Sequence, residues 1–266
     1  MLCVRSQRSV RSPRITTNGI CLNIQTEPGA IMALGPVSYR TQIMLKREAK
    51  QITGGLSAPG KMPEGAWSIS AFNCNIGSVL RKIPNTVCSR CYALARRYLF
   101  PNVQKALDRR LEATKHPQWI EAMVVLITGK GHFRWFDSGD LQGDEMLQQI
   151  LEVVRRTPDT MHWLPTREYL VVSRYLRNSG DTQPPNLCIR LSNQWIDGVT
   201  GNMEDSGVAD IDDQVQPLNL LPWSVVRRHR DYPEGHHCPA HQQDNKCGTC
   251  RACWDRSVKL IVYPEN

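Results

Sequence analysis

The sequence predicts an α/β fold, a partial or complete βα barrel of parallel strands with a cysteine-rich C-terminal segment. Three observations carry that expectation. Short apolar strands alternate with amphipathic helices from Trp67 onward, polar and ionisable residues gather just beyond the strand ends, and seven of the ten cysteines fall into two groups. The 266 residues are 41% hydrophobic and 22% charged, close to globular averages. No apolar run approaches the roughly 18 residues of a membrane span, so no membrane partner is expected.

Residues 1–66 read as a flexible basic arm and lead-in, without sustained apolar period. Residues 1–46 hold six basic groups, Arg5, Arg8, Arg11, Arg14, Arg40 and Lys46, against one acid, Glu27. The formal charge of +8 is therefore concentrated on the arm, which makes the arm, and not the body, the expected phosphate-binding element if nucleic acid is a partner. An organelle transit segment, an arm, or translation from a start upstream of Met32 would each explain its Arg- and Ser-rich beginning. Gly55 to Lys61 fits the first places of a phosphate-binding loop, but Met62 stands where Ser or Thr would hold magnesium, and a Gly/Pro turn is the better reading.

The body, residues 67–266, opens with alternation over Trp67 to Phe72, a first strand. Val103, Ala106, Leu107 and Leu111 form a helical stripe, and Pro117 opens a second helix that ends at Gly129. His132 to Phe136 is a second strand. Asp144 caps a helix through Val154 that closes with Arg155, Arg156 and Pro158. Met161 to Leu164 is a third strand, Leu170 to Leu176 a helix ended near Gly180, Leu187 to Leu191 a fourth strand, and Val258 to Tyr263 the last. Between residues 197 and 213 six acids occur with no Lys or Arg, as in a surface insertion.

Cys247, Cys250 and Cys253 follow one another at spacings of three, within the segment 236–256. A loop so spaced can give one thiolate to each of three irons of a [4Fe-4S] cluster, whereas a structural zinc is normally held by paired Cys-x-x-Cys knuckles. Cys238, followed by Pro239, either completes this set or joins Cys74, Cys88 and Cys91. The seven thiols are thus the expected metal and cofactor ligands, for two iron–sulfur clusters of which one has only three cysteines. His236, His237 and His241 are candidates for a missing ligand by proximity. Cys188, inside an apolar strand, is a core thiol, and disulfides are not expected.

In a parallel barrel the residues at the carboxyl ends of the strands share one mouth. Asn73-Cys74, Asp137-Ser-Gly-Asp140, Thr166-Arg167-Glu168 and Ser192-Asn193 occupy those ends. Asp137 and Asp140 are candidates for a cation or amine and Arg167 for an anion, with Gly139 allowing close backbone approach. Asp137 to Asp140 also makes a good turn, in which Asp140 would be a helix cap.

Cys88-Ser-Arg-Cys91-Tyr92-Ala93, Arg134-Trp-Phe-Asp-Ser-Gly-Asp140, Pro165-Thr166-Arg167, Ile189-Arg-Leu-Ser192 and Lys246-Cys-Gly-Thr-Cys-Arg-Ala-Cys-Trp254 together resemble the phage Gene product 88 family, over about Trp67 to Tyr263. The resemblance implies a TIM-like fold distantly similar to radical S-adenosylmethionine barrels, iron–sulfur binding, a viral origin and the cytoplasm of a bacterial host. The Cys74, Cys88 and Cys91 spacing departs from the radical enzymes' pattern. The expected function is an iron–sulfur protein with a redox or cofactor role, served by an electron donor or small molecule not named by the sequence. A zinc-stapled nucleic-acid module and a divergent radical enzyme that binds S-adenosylmethionine are the alternatives.

Overall fold

The computed structural model describes residues 44–180, 182–198, 218, 220–228 and 234–265. Residues 1–43 of the expected basic arm and nearly all of the acidic insertion lie outside these residues. Seven parallel strands, β1 (Ala66–Trp67), β2 (His132–Trp135), β3 (Met161–Thr166), β4 (Leu187–Ile196), β5 (Trp223–Arg227), β6 (His236–His237) and β7 (Leu260–Pro264), form one sheet in the order β1-β2-β3-β4-β5-β7-β6. The α/β class and the parallel pairing therefore stand as expected. Among the described residues no ladder joins β1 to β6, the two ends of that order.

The helices are α1 (Lys46–Thr53), α2 (Asn75–Leu80), α3 (Pro101–Ala113), α4 (Trp119–Ile127), α5 (Asp144–Arg155) and α6 (Tyr169–Ser179). One face of the sheet packs on α4, α5 and α6. Phe133 and Trp135 of β2, Leu164 of β3, and Leu187, Ile189 and Leu191 of β4 share a buried core with Trp119 and Met123 of α4, Leu147 and Ile150 of α5, and Val172 and Leu176 of α6. Helix α4 is apolar nearly all round because it is covered twice: Met123 and Ile127 enter this core, while Ala122 and Leu126 meet Ala49 of α1.

Residues 43–266 form one compact unit. Its lead-in before Trp67 is thus not a loose tether, since α1 buries Ala49 and Thr53. The first strand is also shorter than its alternation implies. After Trp67 the whole run from Ser68 to Ala71 is buried, and backbone bonds from Phe136 N to Trp67 O (2.7 Å) and Ile69 N to Ser138 O (3.2 Å) carry the chain into a 3-10 turn at Ala71–Asn73. Asp144 is the first residue of α5 and Gly143 its cap; the Asp144 carboxylate instead takes two bonds from Arg174 of α6, at 2.8 and 2.9 Å.

A parallel sheet needs cover on both faces. Here the second cover is the C-terminal segment. Trp254 stands edge-on to His132 (5.4 Å) and Trp163 (5.3 Å), and its Nε1 donates to Phe133 O at 2.9 Å. Arg190, fully buried on β4, donates to the carbonyls of Trp223 (3.1 Å), Ala252 (3.2 Å), Asp255 (2.9 Å) and Val258 (2.9 Å), so one guanidinium ties the segment to the sheet.

Candidate functional site

Cys74 lies between the Ala71–Asn73 turn and α2, at the carboxyl side of β1. Cys88 lies in a 3-10 turn, Val87–Arg90, whose cap Thr86 accepts from Ser89 N at 3.1 Å and donates to Leu80 O at 2.7 Å. A bridge from Thr86 to Trp195 pins this loop to β4, and Cys91 follows with its N–H on Cys88 O at 3.2 Å. The Cys74 and Cys88 thiols border one space. A Cβ placed on Gly77 would stand 3.5 Å from the Cys74 sulfur and 3.7 Å from the Cys88 sulfur, so the absence of a side chain there leaves space between them. Burial, then Asp140, then the Cys91 and Cys88 thiols, push Cys74 up to about 12. Burial also raises Cys88, against the pull of Arg167.

Arg167 follows β3 and donates from Nε to Asn193 O at 3.2 Å. Burial opposes its charge, yet Cys88, Tyr169, Asp140 and Cys91 hold its pKa above the usual arginine value. Glu168 accepts from Ile76 N at 3.0 Å, and burial, reinforced by Asp140, raises it to about 7.

The two aspartates have other work. Asp140 accepts from Leu141 N (2.8 Å), Thr166 Oγ1 (2.6 Å) and Arg167 N (2.9 Å), which ties the end of β2 to the end of β3 and caps no helix. Asp137 accepts from Ser68 Oγ and from Tyr98 Oη at 2.9 Å. Gly139 does permit a close approach, but to this chain's own backbone: at φ 83° its missing Cβ would fall 2.3 Å from Ile69 Cγ1 and 2.8 Å from Ile69 O.

Cys238 lies within electrostatic reach of the C-terminal run. Its N–H bonds Val262 O at 2.9 Å on β7, and its thiol helps raise Cys247 and Cys253. Cys247 donates its N–H to Lys61 O at 3.1 Å, Cys250 Sγ lies 3.3 Å from His236 Nε2, and Cys253 Sγ lies 3.2 Å from Tyr263 Oη. Burial is the first cause that lifts Cys253 to about 11, against the Tyr263 hydrogen bond. Cys188 is a buried core thiol, and His241 bonds the Cys238 carbonyl at 3.0 Å.

Arg134 bears on Tyr92, next to Cys91 in the chain, and on Cys253 of the C-terminal run. Its guanidinium lies 4.5 Å over the Trp163 ring, and burial opposes its charge while Tyr92, Asp137, Tyr263 and Cys253 favour it, with a net upward shift. Among the described residues Arg134, Arg167 and Arg190 form no ion pair with a carboxylate, and Nε of Arg134 and of Arg190 has no hydrogen-bond partner. Sequence reasoning gave no role to Arg134 or Arg190. The available signal was an arginine at an alternate position inside an otherwise apolar strand.

The donor set suits iron–sulfur ligation in kind: all seven are free cysteines, and thiols within each group act on one another electrostatically. Among the described residues no three His, Cys, Asp or Glu side chains already close around one metal position.

No curated protein and no solved structure matches this chain. The family model of Gene product 88 matches residues 44–256, beginning where α1 is about to start and taking in every described cysteine. The chain belongs to the Gene product 88 family.

Proposed function

We propose that the protein is an iron–sulfur protein with two centres, one held by Cys238, Cys247, Cys250 and Cys253 and one by Cys74, Cys88 and Cys91. The observation that carries this reading is the company the thiols keep. Three largely buried guanidiniums, of Arg134, Arg167 and Arg190, bear on Cys74, Cys88, Cys91, Cys247 and Cys253, and none of the three forms an ion pair with a carboxylate among the described residues. Asp137 and Asp140 act on Arg134 and Arg167 without pairing with their guanidiniums, and thiolate-ligated clusters would add negative charge close to these buried cations. The clusters would contribute one-electron chemistry; the protein's own part is to hold the thiols, keep them ionised against burial and screen them from water.

In this reading the open sheet is a partial barrel of TIM-like kind whose interior is filled by the C-terminal segment. Thiolate ligands need a reducing compartment, which favours the cytoplasm of a bacterial host. Variants Cys250→Ser and Cys88→Ser test the assignment: each is expected to lose about half of the iron and to leave the other centre's spectrum in place. Equal iron in both variants and the parent protein would contradict it.

A radical enzyme that binds S-adenosylmethionine is the second reading, favoured by three thiols just beyond β1 with Arg167 beside them. Release of 5′-deoxyadenosine on mixing reduced protein with S-adenosylmethionine would select it, and no release would leave the redox reading alone.

A further inference from the structure

From Gly65 to Leu107 the chain has no Asp or Glu, while Arg81, Lys82, Arg90, Arg96, Arg97 and Lys105 are all basic. Arg90 pairs with Glu265, whereas Lys82, Arg96, Arg97 and Lys105 are exposed and form no ion pair among the described residues. Three aromatic rings stand among these cations: Phe72 is 50% exposed, Tyr92 51% and Phe100 54%. They belong to adjoining turns. The Ala71–Asn73 turn packs on the Tyr92–Leu94 turn, Ser70 Oγ donates to Gln104 Oε1 at 2.7 Å, and Gln104 Nε2 donates to Tyr98 O at 2.7 Å, which ties the Phe72 turn to the Arg96–Leu99 turn and the start of α3. Tyr92 is held in place, because its hydroxyl donates to Asp137 O and Tyr98 stands edge-on to it at 5.9 Å. The Arg81 guanidinium lies 6.0 Å from the Phe72 ring, so a cation and a stacking face are already side by side.

Exposed rings interleaved with unpaired cations suit a strand whose bases are not paired: the rings stack on base faces and the cations neutralise phosphates. We infer that this surface binds single-stranded DNA without sequence preference, independently of the iron–sulfur reading above. Three rivals fit less well. A duplex keeps its base faces stacked inside, out of reach of Phe72, Tyr92 and Phe100. An acidic protein would meet the charge, but its carboxylates give the rings nothing flat to stack on, whereas every base does. Contacts to phosphates and base faces need no 2′-hydroxyl, so the strand assigned is DNA and not RNA.

The test uses the full chain, a fluorescein-labelled dT20 oligonucleotide and fluorescence anisotropy, with circular dichroism confirming the fold of each variant. F72L/F100L keeps apolar bulk but removes two rings, and is expected to bind dT20 at least tenfold more weakly than the parent protein. K82Q/R97Q should also bind more weakly, with the slope of log affinity against log salt shallower by about 1.4, or about 0.7 for each lost phosphate contact. A chain with Arg5, Arg8, Arg11 and Arg14 changed to Ser separates this surface from the basic arm, and adding F72L/F100L to it should weaken binding by the same factor as in the parent. A dT20 strand with one base replaced by 5-bromodeoxyuracil should crosslink within residues 72–105 of the parent on irradiation, a readout that needs no variant. Absence of dT20 binding, parent affinity in either folded variant, or crosslinks confined to the arm overturns the surface. Equal or tighter binding of rU20, of a 20-base-pair duplex or of polyglutamate overturns the choice of occupant.

Discussion

Arg190 and Gly77 concentrate the argument at the scale of single residues. Arg190 is fully buried and serves four carbonyls, three of them in the segment 252–258 next to Cys253. Removing it leaves those acceptors without donors inside the fold, so Arg190→Met is expected to lose at least about 3 kcal/mol. Urea unfolding measures this, and a loss below about 1 kcal/mol would mean that water replaces the guanidinium freely. Gly77 tests the other centre. Its Cβ would come within 2.9 Å of Cys74 Cβ, closer than side chains tolerate, so Gly77→Ala is expected to lose the three-cysteine centre while keeping the C-terminal one. Iron per chain should fall by about half, and full retention would show that the thiols do not need that space. The cysteines themselves were legible from their spacing. Arg190's role was not, because it depends on carbonyls more than 60 residues away in sequence.

At the scale of elements, β3 carries a buried histidine that makes the fold pH-dependent. His162 is stacked on Trp135, whose Nε1 donates to its Nδ1 at 3.3 Å, so Nε2 carries the proton and donates to Thr157 Oγ1 at 2.9 Å. Burial lowers its pKa from 6.5 to about 3. The unfolded chain therefore takes up a proton near pH 6.5 that the folded chain refuses until near pH 3, and stability present at neutral pH is lost as pH falls between these values. The slope from this one group is at most about 1.4 kcal/mol per pH unit. His162→Gln should flatten the stability profile over that range in chemical unfolding, and an unchanged slope would contradict this assignment. Most helices and strands were legible from apolar period. Helix α1 was missed because its short stripe offers little more than Ala49 to α4, and β5 because it follows an acidic stretch that interrupts the βα rhythm. β6 is only two residues long and exists through its pairing with β7.

At the scale of the molecule, the parallel sheet separates two kinds of surface. One face packs on helices in an apolar core, and the other meets a cysteine-rich segment held by Trp254 and Arg190. That division explains why polar residues occur inside β2 and β4 at all: Arg134 and Arg190 alternate with Phe133, Trp135, Ile189 and Leu191, and face the segment and not the core. The sequence pattern announced a parallel α/β fold and its strand-end mouth. It could not announce that Asp137 and Asp140 are consumed in tying the mouth together, since their donors, Ser68, Tyr98 and Thr166, come from other elements. The central claim is that both thiol groups hold clusters. Iron, zinc and acid-labile sulfide per chain, measured on anaerobically purified protein, test it most directly. About seven to eight irons with matching sulfide are expected for two centres, whereas one or two zincs without sulfide would contradict the account and make the cysteines structural.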